Sequence, residues 1–141
     1  MTLAARAALR KDVMLAEGCR LKPYKDTVGK TSIGFGRNLD DVGISRLEAE
    51  VLLDHDLAQA EMECRKVFEW FDALSDVRQR AITELVFNLG MTKWLGFKNT
   101  IKAIKFKDYK TAGQLLLQSK WATQVGPTRS GRIARMLSHG S

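Results

Sequence analysis

Cysteine, proline and histidine are nearly absent from this chain of 141 residues, with two of each. Two cysteines, Cys19 and Cys64, are too few for a disulfide scaffold or a zinc cluster, and both are expected to be free, partly buried thiols. His55 and His139 have no ligand partners at metal-binding spacing. Asp54 and Asp56 flank His55, but neighbours on a helix point to different faces. No metal site is therefore expected. Scarce proline, with only 11 glycines, argues against a disordered or fibrous chain. No apolar run approaches the roughly 18–20 residues that a membrane helix needs. The start lacks an export signal, because Arg6 interrupts the apolar stretch and Arg10, Lys11 and Asp12 come soon after. Synthesis into the cytoplasm is the expectation.

Acidic residues are scarce too, but only in the C-terminal third. Residues 1–92 hold 13 basic and 15 acidic side chains, whereas residues 93–141 hold 10 basic and a single acid. The first part is slightly negative and the second strongly positive, giving the net charge of +7. Such a basic region suits an anionic partner: nucleic acid, an anionic membrane or an acidic wall polymer. From charge alone, a solvated basic surface with no specific partner is the plainer reading. No nucleic-acid recognition motif accompanies it, so nucleic acid is not expected as a partner.

The composition is that of a soluble chain, 45% apolar and 28% charged, enough to bury one domain's core. Residues 3–16 read as a helix, with Leu3, Ala7, Val13 and Met14 supplying an apolar stripe and Gly18 a stop. From Cys19 to Leu39 the pattern changes. Tyr24, Thr27, Val28, Thr31, Ile33 and Phe35 are strand formers around a turn with Gly29, so a small antiparallel hairpin with a third short strand is expected. Ser45 and Glu48 fit a capping box that opens a long helix. Leu53, Leu57, Ala60, Cys64, Val67 and Phe71 continue at helical spacing. Ser75 or Asp76 opens the next helix, whose wide apolar face carries Val77, Ala81, Ile82, Leu85, Val86 and Leu89. Gly90 ends it. Helices are expected again near 97–105, 108–121 and 128–138. Trp70, Phe71, Trp94 and Trp121 have flat faces that could stack on sugar rings, but core or lobe-junction packing is the plainer reading, above all for Trp121. Arg129, Arg132 and Arg135 share a face of the last helix.

The chemistry sits where helix gives way to hairpin. Glu17 lies in the last turn of the first helix, Asp26 nine residues on and Ser32 six after that. Folded back on each other, helix end and hairpin bring two acids to one cleft. Two acids in unlike surroundings can divide the work of glycoside hydrolysis, one donating a proton and the other steering a water. A hydroxyl can hold that water. Two acids and a hydroxyl at this spacing also occur as solvated loop residues.

The surrounding letters are more specific. Glu17-Gly18, Leu21-Lys22-Pro23-Tyr24-Lys25-Asp26-Thr27 and Ser32-Ile33-Gly34-Phe35-Gly36 closely resemble the T-even phage type of lysozyme, the endolysins of glycoside hydrolase family 24. Phe87-Asn88-Leu89-Gly90, Gly96-Phe97-Lys98-Asn99-Thr100, Ser119-Lys120-Trp121 and Pro127-Thr128-Arg129 extend the likeness in order through the chain. The resemblance implies an α+β, mostly helical, two-lobed lysozyme-like fold in a single domain. A small antiparallel β-sheet lobe would span about 17–65 and a linking helix about 46–69. The larger helical lobe would span about 70–141, joined by the helix at 3–16.

It also implies a muramidase. Glu17 would be the general acid, Asp26 the carboxylate that orients the attacking water, and Ser32 a stand-in for the family's threonine. The bond would be the β-1,4 link between N-acetylmuramic acid and N-acetylglucosamine, cut with inversion and without a cofactor. Phe87, Asn88, Arg37, Asn38 and Thr100 would touch the glycan strand. Arg37 stands where the T-even type has a histidine, and a permanent cation there could pair with Asp40, Asp41 or the acidic face of the long helix. A chain made in the cytoplasm would need a holin to reach peptidoglycan in the periplasm, with no direct contact between the two. It would act as a monomer, with weak contact to anionic outer-membrane lipids through the basic C-terminal region. Two alternatives stay open on the residues alone: a lytic transglycosylase acting on the same bond, and a non-catalytic binder of wall polymer.

Overall fold

The computed structural model describes residues 1–141 as eight α-helices and one three-stranded antiparallel sheet, an α+β fold that is mostly helical. It divides into two compact units, Met1–Glu50 and Val51–Ser141.

The first unit opens with α1, Leu3–Glu17, whose start is capped by the Thr2 hydroxyl accepting from the Ala5 N–H. The sheet comes next: β1 Arg20–Lys25, β2 Thr31–Gly34 and β3 Arg37–Asn38, in spatial order β1-β2-β3. Tyr24 lies opposite Ser32 and Lys25 opposite Thr31, but the register shifts between Arg20 and Tyr24. Pro23 falls in that irregular stretch. It has no N–H to give, and an edge strand is where a sheet tolerates such a residue. On the other side, Ser32 faces Asn38 and Ile33 faces Arg37. The hairpin and short third strand expected from residues 19–39 are thus present.

Helix α2, Arg46–Val67, starts as the Ser-x-x-Glu pattern predicts. The Glu48 N–H donates to Ser45 Oγ at 3.1 Å, and the Ser45 N–H donates to Glu48 Oε2 at 2.7 Å. Its expected apolar stripe is only partly used. Ala60 and Cys64 are buried, whereas Leu53 and Val67 remain 42% and 43% exposed. Only a narrow line near the helix's C-terminal end packs against the core. The thiols also differ from expectation: Cys64 is fully buried and Cys19 exposed. Burial pushes the Cys64 thiol up to about 11, leaving it inert at neutral pH.

In the second unit the remaining elements are α3 Asp76–Leu89, α4 Met91–Leu95, α5 Lys98–Lys105, α6 Tyr109–Leu117, α7 Lys120–Val125 and α8 Pro127–His139. Ser75 caps α3. Its wide face is buried at Ala81, Ile82, Leu85 and Val86. These pack with Phe71, Trp94, Ile104, Leu116, Ile133 and Leu137 into one core. The helix expected over 108–121 is two helices, because Ser119 interrupts it. Its hydroxyl donates to the Leu116 carbonyl and accepts from the Ala122 N–H, ending α6 and capping α7. The last helix ends on a specific partner. The Arg78 guanidinium donates to the carbonyls of Leu137 and Ser138 at 2.8 and 3.1 Å and lies over the Tyr109 ring. A cation on the orphan carbonyls at a helix C-terminus satisfies both their lone pairs and the dipole.

Candidate functional site

Glu17 is the final residue of α1, and the turn after it decides where its carboxyl goes. Gly18 takes a left-handed backbone, φ +68°, and its N–H closes on the Met14 carbonyl at 3.1 Å. The chain then turns directly into β1. The Glu17 carboxyl lies against the backbone of Gly36, in the turn after β2. A Cβ at Gly36 would sit 3.1 Å from Glu17 Oε2 and 3.4 Å from its Cδ. Gly36 also has φ +81°, so glycine serves both the turn and the carboxyl's close approach.

Asp26 closes β1 at the other end of the sheet. Its N–H donates to the Lys30 carbonyl at 2.8 Å. Its Oδ1 accepts from the N–H groups of Val28 at 3.0 Å and Lys30 at 2.9 Å. An aspartate that folds its side chain onto the backbone ahead is a turn former, and here the turn aims the carboxylate. Neither Glu17 nor Asp26 is spent on an ion pair. Ser32 lies between them in the middle strand, 3% exposed and flanked by Tyr24 and Asn38. Glu17 and Asp26 therefore belong to opposite ends of a strand about 10 Å long at ~3.3 Å per residue, with the hydroxyl along it.

The segment after β3 holds this sheet in place. Arg37 donates to both Glu48 oxygens, at 3.0 and 2.6 Å, and to the Gly43 carbonyl at 3.0 Å. The acidic partner anticipated for Arg37 is thus the capping-box glutamate of α2. The Asn38 amide is folded onto Asp41, whose N–H donates to Asn38 Oδ1 at 2.9 Å. Asp41 pairs with Lys30, and Asp40 Oδ2 accepts from the Thr31 N–H at 2.8 Å. These contacts grip the two residues after the Asp26 turn. Asp40, one of the partners open to Arg37, instead accepts from the Thr31 N–H, and the long helix's Glu48 takes Arg37. A capping box announces Glu48's backbone bond, but nothing in the spacing singles it out among Arg37's possible acidic partners.

The same contacts make the unit acid-sensitive. The Arg37 guanidinium and the Ser45 N–H hold Glu48 down to about 2, and the Thr31 N–H holds Asp40 below its ordinary value. A carboxyl lowered by folding stabilises the fold above its unfolded pKa and loses that contribution as pH falls through the folded one. Stability should therefore decline between about pH 4.5 and pH 2. In Glu48→Gln the decline should be shallower, as read by denaturant midpoints at pH 7, 4 and 2.5.

In the second unit, Phe87 is 40% exposed and lines a groove of about 840 Å³ with Leu57, Arg80, Thr83 and Arg129. Asn88 is exposed, and its Oδ1 accepts from the Trp121 indole N–H at 2.7 Å. Thr100 is buried within α5, 4% exposed. Trp94 and Trp121 are core residues. The three arginines of α8 are not equally free. Arg129 and Arg132 both hold the Glu84 carboxylate of α3, at 3.0 Å and 2.7 Å, while Arg135 has no such partner. This pairing keeps Glu84 below the usual carboxylate range, with the Arg132 hydrogen bond as the main cause. No cluster of metal-ligating side chains is formed, and no helix is long and apolar enough to cross a membrane.

Residues 14–137 match the family of phage lysozymes. Probable T4-type lysozyme 1 of Dictyostelium discoideum is 28% identical over 89% of this chain and 90% of its own length. Probable T4-type lysozyme 2 of the same organism is 27% identical over 96% of each chain. An endolysin of Acyrthosiphon pisum secondary endosymbiont phage 1 is 32% identical over 75% of this chain and 71% of its own. The match takes in Glu17, Asp26, Ser32 and nearly all of the second unit, so the chain belongs to the phage lysozyme family and is a glycosidase-type hydrolase, a lysozyme-type endolysin.

Proposed function

We propose that this hydrolase cleaves the β-1,4 bond between N-acetylmuramic acid and N-acetylglucosamine in peptidoglycan, with inversion at the sugar carbon. The observation that carries this reading is the placement of two unpaired acids at opposite ends of β2 with a buried hydroxyl along the strand. Acids carried at opposite ends of a strand favour a gap that admits a water between the second carboxylate and the sugar, which inversion requires and retention does not. In this reading Glu17 protonates the bridging oxygen. Asp26, aimed by the Val28 and Lys30 amides, takes the proton of the incoming water. Ser32 fixes that water's orientation.

Phe87 offers an exposed apolar face to a sugar ring, and Asn88 offers its amide N–H while its oxygen holds Trp121. Arg37 and Asn38 are already engaged by Glu48 and Asp41, so their part in sugar binding is to hold β3 beneath the glycan. Thr100 acts from inside α5, by fixing the helix. The enzyme works as a monomer. It reaches the periplasmic wall after a holin opens the inner membrane, and its action lyses the host to release phage.

A lytic transglycosylase needs one acid and no water, so it would leave the fixed orientation of Asp26 unexplained. Product analysis separates the two. Hydrolysis should yield muramic acid ends that carry the added water, with the α-anomer first by NMR. Products lighter by one water, or a β-anomer first, would overturn the reading.

Ser32 gives a finer test. Ser32→Ala should slow wall digestion about tenfold or more, the effect of losing one hydrogen bond to a charge-bearing reactant. Ser32→Thr should restore the rate, since it keeps the hydroxyl and restricts its rotamer. An alanine variant as fast as the wild type would remove Ser32 from the mechanism.

A further inference from the structure

Of the ten basic residues beyond position 92, only Arg129 and Arg132 are in ion pairs. The unpaired ones are concentrated around the end of α5. Lys98, Lys102 and Lys105 recur four and three residues apart, opposite the buried face of Thr100, Ala103 and Ile104. The helix ends on Phe106, which is 69% exposed. Lys107 comes next with φ +62°, the one non-glycine residue in the left-handed region. That turn is held by the Lys107 N–H on the Ile104 carbonyl and the Asp108 N–H on the Ala103 carbonyl, at 3.0 and 2.8 Å. Asp108, the single acid of this region, is occupied in capping α6 through the Thr111 N–H. Lys110 lies in the first turn of α6. A groove of about 630 Å³ adjoins the stripe, lined by Val67, Phe68, Glu69, Trp70, Ile101 and Lys105.

We propose that this α5–α6 tip docks on an anionic phospholipid bilayer, with Phe106 entering the interface and Lys102, Lys105, Lys107 and Lys110 on the headgroups. A bare phenylalanine between two lysines is costly in water, and an interface relieves that cost while the lysines meet anionic lipid. Lysines with no carboxylate partner keep their full charge available for it. The groove beside Lys105 is of mixed character, with Val67, Phe68, Trp70 and Ile101 beside Glu69, and gives an acyl segment a partly apolar recess next to the cation that holds its headgroup. A single nucleic-acid strand fits less well. It needs aromatic platforms in series, whereas the next ring, Tyr109, is covered by Arg78.

Co-sedimentation with vesicles tests this. Phosphatidylcholine vesicles are compared with vesicles in which about a third of the lipid is phosphatidylglycerol. The chain should bind the anionic vesicles at least about tenfold more tightly, since each lysine near such a surface strengthens binding about fivefold. Lys105→Glu with Lys107→Glu should remove that binding, and Phe106→Ser should weaken it several-fold. Lys120→Glu with Arg135→Glu makes the same charge change elsewhere and should retain it. Thermal melts check that the variants fold; if the Glu pair unfolds, Lys105→Gln with Lys107→Gln replaces it. Equal binding to both vesicles, equal loss in the control pair, an unaltered Phe106→Ser variant, or tighter tip-dependent binding of single-stranded oligonucleotide would each overturn the proposal.

Discussion

Replacing Glu17 with glutamine should lower the rate of peptidoglycan digestion by about 10²–10⁴-fold, the range lost when a positioned proton donor is removed. The amide matches the carboxyl in shape, so substrate contacts stay while the proton is gone. The change should not unfold the chain. Glu17 has no ion pair to lose, and a negative charge in a last helical turn opposes the helix dipole. Its melting temperature should be unchanged or slightly raised. Turbidity loss of chloroform-treated Gram-negative cells gives the rate, and circular dichroism the melt. Full-speed lysis by the glutamine variant would remove Glu17 from catalysis and the muramidase reading with it.

Gly36→Ala should damage both stability and rate, for two separable reasons. At φ +81° an L-residue costs roughly 1–2 kcal/mol. The new methyl would also meet Glu17 Oε2 at 3.1 Å, so the carboxyl must move. Misplacing a reacting group by about 1 Å can cost on the order of 10²-fold in rate. Gly126→Ala separates the two effects. That glycine has φ +86° with nothing within 4 Å of an added Cβ, so it carries the backbone cost without touching Glu17. The alanine at 126 should lower the melting temperature comparably and leave kcat near the wild-type value. Equal rates in the two variants would show that Gly36 serves the turn alone.

The difference between these glycines shows where sequence reading stops. Gly18 was legible as a helix stop because a local backbone need announces itself by residue type. Gly36 was legible only as part of a Gly-x-Gly turn. Its second role, clearing space for a carboxyl nineteen positions earlier, depends on where α1 folds back. Glu48 behaves the same way. Its capping-box bond to Ser45 is local and was read from the letters, while its grip on Arg37 across eleven positions was one option among several. The arginines of α8 mark the opposite outcome. Their spacing puts them on one face, but it does not tell that Glu84 of α3 neutralises two of them.

The helix starts, the hairpin, the wide buried face of α3 and the two acids with their hydroxyl could all be read from the order of residues. Each arises from interactions within a few positions or from the period of apolar side chains. Which charges are spent and which are free was settled by packing alone. Glu48, Asp40 and Glu84 are committed to partners, while Glu17, Asp26 and the lysines around Phe106 are in no ion pair. An ion pair or a close approach needs two groups within about 4 Å, and residues distant in the chain meet only when the elements carrying them pack.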